Sequence, residues 1–334
     1  MDLIIEIGNS HEGSLGIATS FVDMVRNTGA NCVKFQMHLA EYEGMPNEPF
    51  RKNFSLQDAS RQEYWRRVNF SEKNWKSLSQ YTKETGLEFL CTPFSIEAAQ
   101  FLYENKLVER WKIGSGDAVN FPLIDFLVST KMPLIISTGL ISWHEIIELK
   151  NRLSYLSAWE TTTLMHCISM YPTPIEKSSL NLIAELKTLG CRVGLSDHSG
   201  NWKIPLKAIS MGIDTLEVHM TPHKQFFGPD TVASLLPEEI RTIKEVWDDW
   251  LVLENTPGSK DLIFSDSHRM GVLFRKGIYW SKNCKSGDIA DLSNIKFRKP
   301  VASIDSKNFE SILGRKLRTD VLENSPVNME DFEL

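Results

Sequence analysis

The sequence predicts an α/β protein, a (β/α)8 barrel of the TIM type followed by a small β-rich domain. Three observations lead there. From residue 3 to about residue 254 the chain repeats a short apolar run, a polar or glycine-containing break and a longer stretch with helical spacing, the pattern of parallel strands joined by helices. The apolar runs lie at 3–7, 31–36, 87–91, 110–113, 133–137, 162–167, 191–195 and 214–219, and eight is the number that closes a barrel. After the last long helix, Asn255-Thr256-Pro257-Gly258-Ser259-Lys260 has linker composition, and short β-like runs follow at Val272–Phe274 and Ile278–Trp280. The division is therefore a barrel over 1–254, a linker over 255–269 and a small domain over 270–334. An open, doubly wound sheet is the alternative that the same alternation allows.

The strands read as near-continuous apolar runs because strands covered on both faces have no solvent side to keep polar. The first helix carries Leu15, Ala18, Val22 and Val25 on one face before Gly29 ends it. Ser142 and Glu145 have capping-box spacing. Pro122 and Pro237 stand where a first turn tolerates proline, and Gly86, Gly190 and Gly212 follow helical stretches as stops. One connection is anomalous: residues 38–70 run far beyond a normal βα loop. Arg51, Lys52, Arg61, Arg66 and Arg67 in it suit either an anion-meeting lid or a solvated insertion with its own short helix.

A net charge of -6 without a basic run gives no electrostatic reason to bind nucleic acid or an anionic membrane. With 42% hydrophobic and 24% charged residues the chain can bury a large core without disulfides. Of five cysteines, Cys32, Cys91, Cys167 and Cys191 sit in or beside strand-like runs and read as reduced, buried thiols. The first apolar run is short and no basic segment precedes it, so neither a signal peptide nor a spanning helix is expected and a cytoplasmic location follows.

Barrel chemistry sits at the C-terminal ends of the strands. The polar residues there are Asn9, His11 and Glu12; Lys34 and Gln36; Thr92 and Ser95; Lys112, Ser115 and Asp117; Ser137 and Thr138; His166, Ser169 and Tyr171; Ser196, Asp197 and His198; and His219. Two lysines with several small hydroxyl residues suit an anion bearing carboxylate and phosphate, since ammonium supplies charge and hydroxyls supply short neutral donors. Gly114 and Gly116 would admit phosphate oxygens close to backbone N–H groups. His198 and His219 end adjacent strands, where they either share a divalent cation or serve as hydrogen-bonded structural residues. His166 reads as structural, and His11 is open. Glu12, Asp117, Glu217 and Asp230 are the carboxylates placed for acid–base work, with ion pairing or capping as the other reading of each.

The strings themselves carry a resemblance: Glu6-Ile7-Gly8-Asn9 with His11-Glu12-Gly13, Val33-Lys34-Phe35-Gln36, Cys91-Thr92-Pro93-Phe94-Ser95, Lys112-Ile113-Gly114-Ser115-Gly116-Asp117, and Ile136-Ser137-Thr138-Gly139. They continue as His166-Cys167, Tyr171-Pro172-Thr173-Pro174, Gly194-Leu195-Ser196-Asp197-His198, Leu216-Glu217-Val218-His219 and Gly228-Pro229-Asp230. Over nearly its whole length the chain resembles the sialic acid (nonulosonate) synthases. The resemblance implies a metal-dependent condensation of phosphoenolpyruvate with an open-chain N-acyl amino sugar, typically N-acetylmannosamine, releasing phosphate and a nine-carbon keto acid. It implies that Lys34, Thr92, Lys112, Ser115, Ser137 and Ser196 hold phosphoenolpyruvate and that His198 and His219 bind the metal, manganese by habit, with magnesium or cobalt as alternatives. Glu12, Gln36, Asp117, Tyr171 and Asp230 would face the sugar or the reacting water, with Glu12 the first choice for proton handling and Asp230 the second. The tail resembles the family's antifreeze-like (SAF) domain, which implies a domain-swapped homodimer. Ser169 stands where one branch has asparagine, Asp117 where that branch has glutamate, and Arg298-Lys299-Pro300 replaces Lys-Arg-Pro. The sugar-binding arginine is thus either replaced by Lys299 or supplied by Arg298 one residue earlier, and lysine offers a point charge in place of a planar fork. A different metal-dependent barrel aldolase or hydrolase, and a non-catalytic sugar-binding relative, are the competing readings.

Overall fold

The computed structural model describes residues 2–46, 48–50 and 54–333, so Arg51 and Lys52 of the insertion lie outside the described residues. Eight strands form one parallel sheet: β1 (Asp2–Gly8), β2 (Cys32–Met37), β3 (Glu88–Pro93), β4 (Trp111–Ile113), β5 (Leu134–Ser137), β6 (Thr162–Cys167), β7 (Arg192–Asp197) and β8 (Thr215–His219). Each predicted run becomes a strand, with ends displaced by no more than two residues. The sheet order is β3-β2-β1-β8-β7-β6-β5-β4, and β3 and β4 at its two ends pack side by side, which closes the ring. The open sheet is thereby excluded.

The helices are α1 (Leu15–Arg26), α2 (Ala40–Glu43), α3 (Arg61–Val68), α4 (Glu72–Glu84), α5 (Ile96–Glu104), α6 (Phe121–Ser129), α7 (Trp143–Tyr155), α8 (Leu182–Lys187), α9 (Lys203–Ile209) and α10 (Pro237–Asn255). Their local signals are present in the structure. Helix α1 buries Ala18, Phe21, Val22 and Val25 under an N-cap at Ser14. Helix α7 opens on a reciprocal capping box between Ser142 and Glu145. The 38–70 segment holds α2 and α3, which form a small cluster of their own from Ala40, Tyr64, Trp65 and Val68 against Phe50 and Phe54.

The barrel interior explains where chemistry is possible. Inward positions recur every second residue. The lower layer is apolar and made of Ile4, Cys32, Leu90, Ile135 and Met165. Two residues further along the same strands stand Glu6, Lys34, Thr92, Ser137 and Cys167. An apolar plug thus supports a polar floor, and Gly194 on β7 makes room for the plug. A Cβ there would stand 2.4 Å from Met165 Sδ and 2.4 Å from the backbone oxygen of Thr215.

The chain divides into two compact units, Met1–Val252 and Leu253–Leu334. In the second, the expected linker region is largely helical, as α11 (Lys260–Asp266) and α12 (His268–Phe274). Val272–Phe274 is therefore helix where a strand is expected, because its three apolar residues continue a helical turn from His268. Strands β9 (Gly277–Trp280) and β10 (Ile295–Arg298) form an antiparallel pair, and the rest is held by turns and isolated bridges around Trp280, Ile312, Leu317 and Val327. All five cysteines are unpaired; Cys191 is half-buried, against the expectation of burial, because it precedes β7 instead of lying inside it. No helix among the described residues is long and apolar enough to cross a membrane.

Replacing Gly194 by alanine should lower stability by about 1–3 kcal/mol, because the clash is partly with backbone that cannot rotate away. Urea unfolding of the variant checks this, and an unchanged midpoint would show that the plug has slack.

Candidate active site

The C-terminal mouth of the barrel encloses a cavity of about 380 Å³. Of the residues singled out from sequence, Lys34, Gln36, Thr92, Lys112, Ser115, Ser137, Ser169, Tyr171, Ser196, His198, Glu217 and His219 all line it. The period of two on each strand is what brings them together. Lys34 pairs in register with Glu6 across β1 and β2, and His219 is level with Glu6 across β1 and β8.

Four ionisable groups make the floor. The Lys34 ammonium is in close contact with the Glu6 carboxylate, lies 3.7 Å from Glu217 Oε2 and donates to Thr92 Oγ1 at 3.2 Å. Lys112 Nζ donates to Ser137 Oγ at 2.8 Å and stands 3.5 Å from Glu217 Oε1. Glu217 also accepts from Ser196 Oγ at 2.8 Å. Burial pushes both lysines down, but Glu217 and Glu6 together reverse this for Lys34, whose pKa ends above its ordinary value. Lys112 has only Glu217 close by and the Lys34 charge against it, and it ends lower. Burial pushes Glu217 up, yet the two ammoniums and the Ser196 hydroxyl outweigh it and hold the carboxylate below its usual range.

Above the floor, the His198 and His219 rings lie 5.2 Å apart between centroids. Burial, aided by His219, depresses His198 to about 3, so its ring is neutral. Its Nδ1 lies 3.1 Å from the Ile168 carbonyl, to which it donates, leaving the Nε2 lone pair to accept from the Tyr171 hydroxyl at 3.0 Å. A neutral imidazole whose far nitrogen is tied to a backbone carbonyl is the arrangement of a metal ligand. Among the described residues no three His, Cys, Asp or Glu side chains converge, so a cation here would draw its remaining ligands from substrate or water.

Asp230 lines an adjoining recess with Asn9, Gln36, Tyr171 and His219. Asp117 lines a second recess, reached past Arg61, Phe94 and Gly116; its carboxylate accepts from Asn120 and burial raises its pKa. Glu12 is placed differently from expectation and lines none of these cavities. It follows a turn that faces α3, with φ of +50°, and there it pairs with Arg67 at 2.9 Å and accepts from Tyr64 at 3.0 Å. Arg67 is further held by Asp58, Arg66 by Glu41 and Arg61 by Glu48, so these arginines anchor the insertion, and Arg61 alone of the three also lines the main cavity. Arg298 and Lys299 belong to the second unit, where Lys299 Nζ lies 5.1 Å over the Phe274 ring. His166 bonds the Ser178 carbonyl at 2.8 Å, which fits its structural reading, and the buried His11 stacks on Phe70 with ring centroids 4.4 Å apart. Sequence reasoning passed over Glu6 and His38, although a carboxylate inside the run Leu3–Ile7 was a visible signal.

The NeuB family model matches residues 21–254. The N,N'-diacetyllegionaminic acid synthase of Campylobacter jejuni is 30% identical over 94% of this chain and 94% of its own length. The human N-acetylneuraminate-9-phosphate synthase is 30% identical over 71% of this chain and 67% of its own. Among solved structures, the N-acetylneuraminic acid synthetase of Leptospira borgpetersenii in complex with citrate superposes with a TM-score of 0.69 at 25% identity, covering 81% of this chain and 91% of that one.

Glu217→Gln leaves Lys112 without a carboxylate, and breaking a buried charge balance from one side should cost about 3–5 kcal/mol. Chemical denaturation should show this loss, partly recovered by added inorganic phosphate. Because the Glu217 pKa is lower folded than its unfolded value of 4.5, its contribution is whole above that pH and fades as pH falls, so wild type and variant should converge in acid. A gap that stays constant down the pH scale would assign the stability elsewhere.

Proposed function

The chain belongs to the NeuB family of sugar-acid synthases, and from that premise we propose that it condenses phosphoenolpyruvate with an open-chain N-acyl hexosamine, N-acetylmannosamine or a close derivative, giving a nonulosonic acid and phosphate. The observation that carries this reading is the floor of two buried lysines flanked by Thr92, Ser137 and Ser196, beneath a pair of imidazoles. Lys34 and Lys112 hold the phosphate and carboxylate, and the hydroxyls complete their hydrogen bonds. The methylene carbon of the enol attacks the sugar aldehyde and forms the new C–C bond. Water adds at the carbon bearing phosphate, and cleavage of the C–O bond expels phosphate and leaves the ketone.

His198 and His219 would hold a divalent cation, manganese by preference, which when bound supplies Lewis-acid polarisation of the aldehyde oxygen and a template for both substrates. In this reading Tyr171, beside His198, follows the acceptor oxygen, and Asp230, the second choice for proton handling after Glu12, takes that role because it shares a recess with His219. The same reading has the chain act as a homodimer, with Arg298 and Lys299 of the second unit given to the sugar. Support for self-association comes from the apolar surface of α11 and α12, where Leu262, Ile263, Phe264, Met270, Leu273 and Phe274 are exposed. The unpaired cysteines suit a cytoplasmic enzyme.

Phosphate release from phosphoenolpyruvate should require an N-acyl hexosamine and manganese, in an assay run against a panel of hexosamines and their acetamido derivatives. His219→Ala should abolish turnover and weaken manganese binding in a titration of the free ion, while the circular dichroism spectrum is kept. Full activity in chelator would remove the metal from the reading, and no release with any aldose would remove the reading itself.

A further inference from the structure

Residue 38 continues the inward period of β2 two positions beyond Gln36, and its surroundings are unusually constrained. The His38 imidazole lies between Trp65 of α3, at 4.8 Å and 8°, and Phe94 beyond β3, at 4.2 Å and 12°. Two parallel rings fix the plane of the third, and so fix the directions in which its nitrogens point. Nδ1 lies 2.7 Å from Glu43 Oε2 and Nε2 lies 3.1 Å from Gln36 Oε1. On its other side, Gln36 Nε2 donates to Glu6 Oε1 at 2.6 Å, and Glu6 holds Lys34.

The donor and acceptor roles along this chain follow by elimination. Glu6 accepts, so the Gln36 nitrogen faces it and the Gln36 oxygen faces His38. That oxygen needs a donor, which makes His38 the Nε2–H tautomer. The lone pair on Nδ1 then calls for a protonated Glu43. Burial and the neighbouring Arg61 guanidinium keep the ring neutral, with Glu6, Asp117 and Glu48 facing it from the acidic side. Burial pushes Glu43 up to about 9, against the pull of Arg61 and with Asp117 and Glu48 adding to the rise.

We propose that His38 is a positioning residue for the sugar acceptor: clamped between Trp65 and Phe94, it holds the Gln36 carbonyl at the end opposite Glu6, so that the amide plane is fixed between the two and an N–H is left for the cavity. Gln36 lines both the main cavity and the recess of Asp230 and His219, so the amide hydrogen not given to Glu6 would select an acceptor that presents a hydroxyl or carbonyl oxygen there. The role ties the insertion to recognition, because Trp65 comes from α3 and Glu43 from α2. It rests on the synthase reading above.

His38→Phe keeps the stack and removes both hydrogen bonds. The expected result is a KM for the sugar raised about tenfold, with the KM for phosphoenolpyruvate within about twofold of wild type and an unchanged melting temperature. Glu43→Ala should carry the same defect and Glu43→Gln should recover it, since an amide N–H still donates to Nδ1. In wild type the sugar KM should rise as pH passes about 9, where Glu43 loses its proton, and Glu43→Gln should lack that limb. An unchanged sugar KM in His38→Phe, or two KM values that rise together, overturns the proposal while leaving the synthase reading intact. If wild type releases no phosphate with any aldose, that reading fails, and the positioning role is decided by nitrogen NMR of histidine-labelled protein. A neutral Nε2–H ring at neutral pH, absent in His38→Phe, supports the hydrogen-bond chain; a charged ring overturns it.

Discussion

The site depends on one electrostatic constraint, that two ammoniums and two carboxylates share a floor almost without water. Lys34, Lys112, Glu6 and Glu217 are each at most 3% exposed. An isolated charge at such depth would cost several kcal/mol, so the four groups hold one another in place. The balance is uneven. Lys34 answers to two carboxylates and Lys112 to one, which is why their pKa values move in opposite directions from the same burial. In the proposed reading an entering anion gains most at Lys112, whose charge is the least compensated, and competes hardest at Lys34.

That floor can be rigid because of what lies beneath it. The layer of Ile4, Cys32, Leu90, Ile135 and Met165 fills the barrel, and the glycine at 194 is the small residue that leaves room for the Met165 side chain beside β7. Side chains that rise from a packed plug lose little freedom on binding substrate, since most of it is already gone. The imidazole pair sits one step higher, where strands β7 and β8 end, and His198 is oriented by the Ile168 carbonyl on one nitrogen and the Tyr171 hydroxyl on the other.

The barrel was legible because periodicity and strand count are local properties, and all eight runs proved to be strands. The lysines, hydroxyls and histidines of the cavity were legible too, because a strand end in a barrel has only one place to point. What escaped reading depends on distant partners. Glu12 looks reactive beside the mouth, but only the fold reveals Arg67 and Tyr64 closing on it from the insertion. Glu6 sits in an apolar strand and was passed over, since its value lies in register with Lys34. Val272–Phe274 has strand composition, yet the turn that starts at His268 carries through it.

The insertion shows how a long connection can become part of a site without serving as its source of charge. Its arginines suit either an anion-meeting lid or a solvated insertion with its own short helix, and the structure gives Arg61, Arg66 and Arg67 each a carboxylate partner within or beside the insertion itself. An arginine already held by its own carboxylate has less to offer an anion than a buried lysine that shares its one near carboxylate with a second lysine. What the insertion contributes instead is shape and polarity: Trp65 covers His38, Tyr64 holds Glu12, and Arg61 reaches the cavity rim. In the proposed reading the charge for the substrate comes from the strands, and the insertion supplies surfaces against which an acceptor is fitted. That reading divides the roles between the insertion and the floor, and the division rests on where each element's hydrogen bonds are already committed.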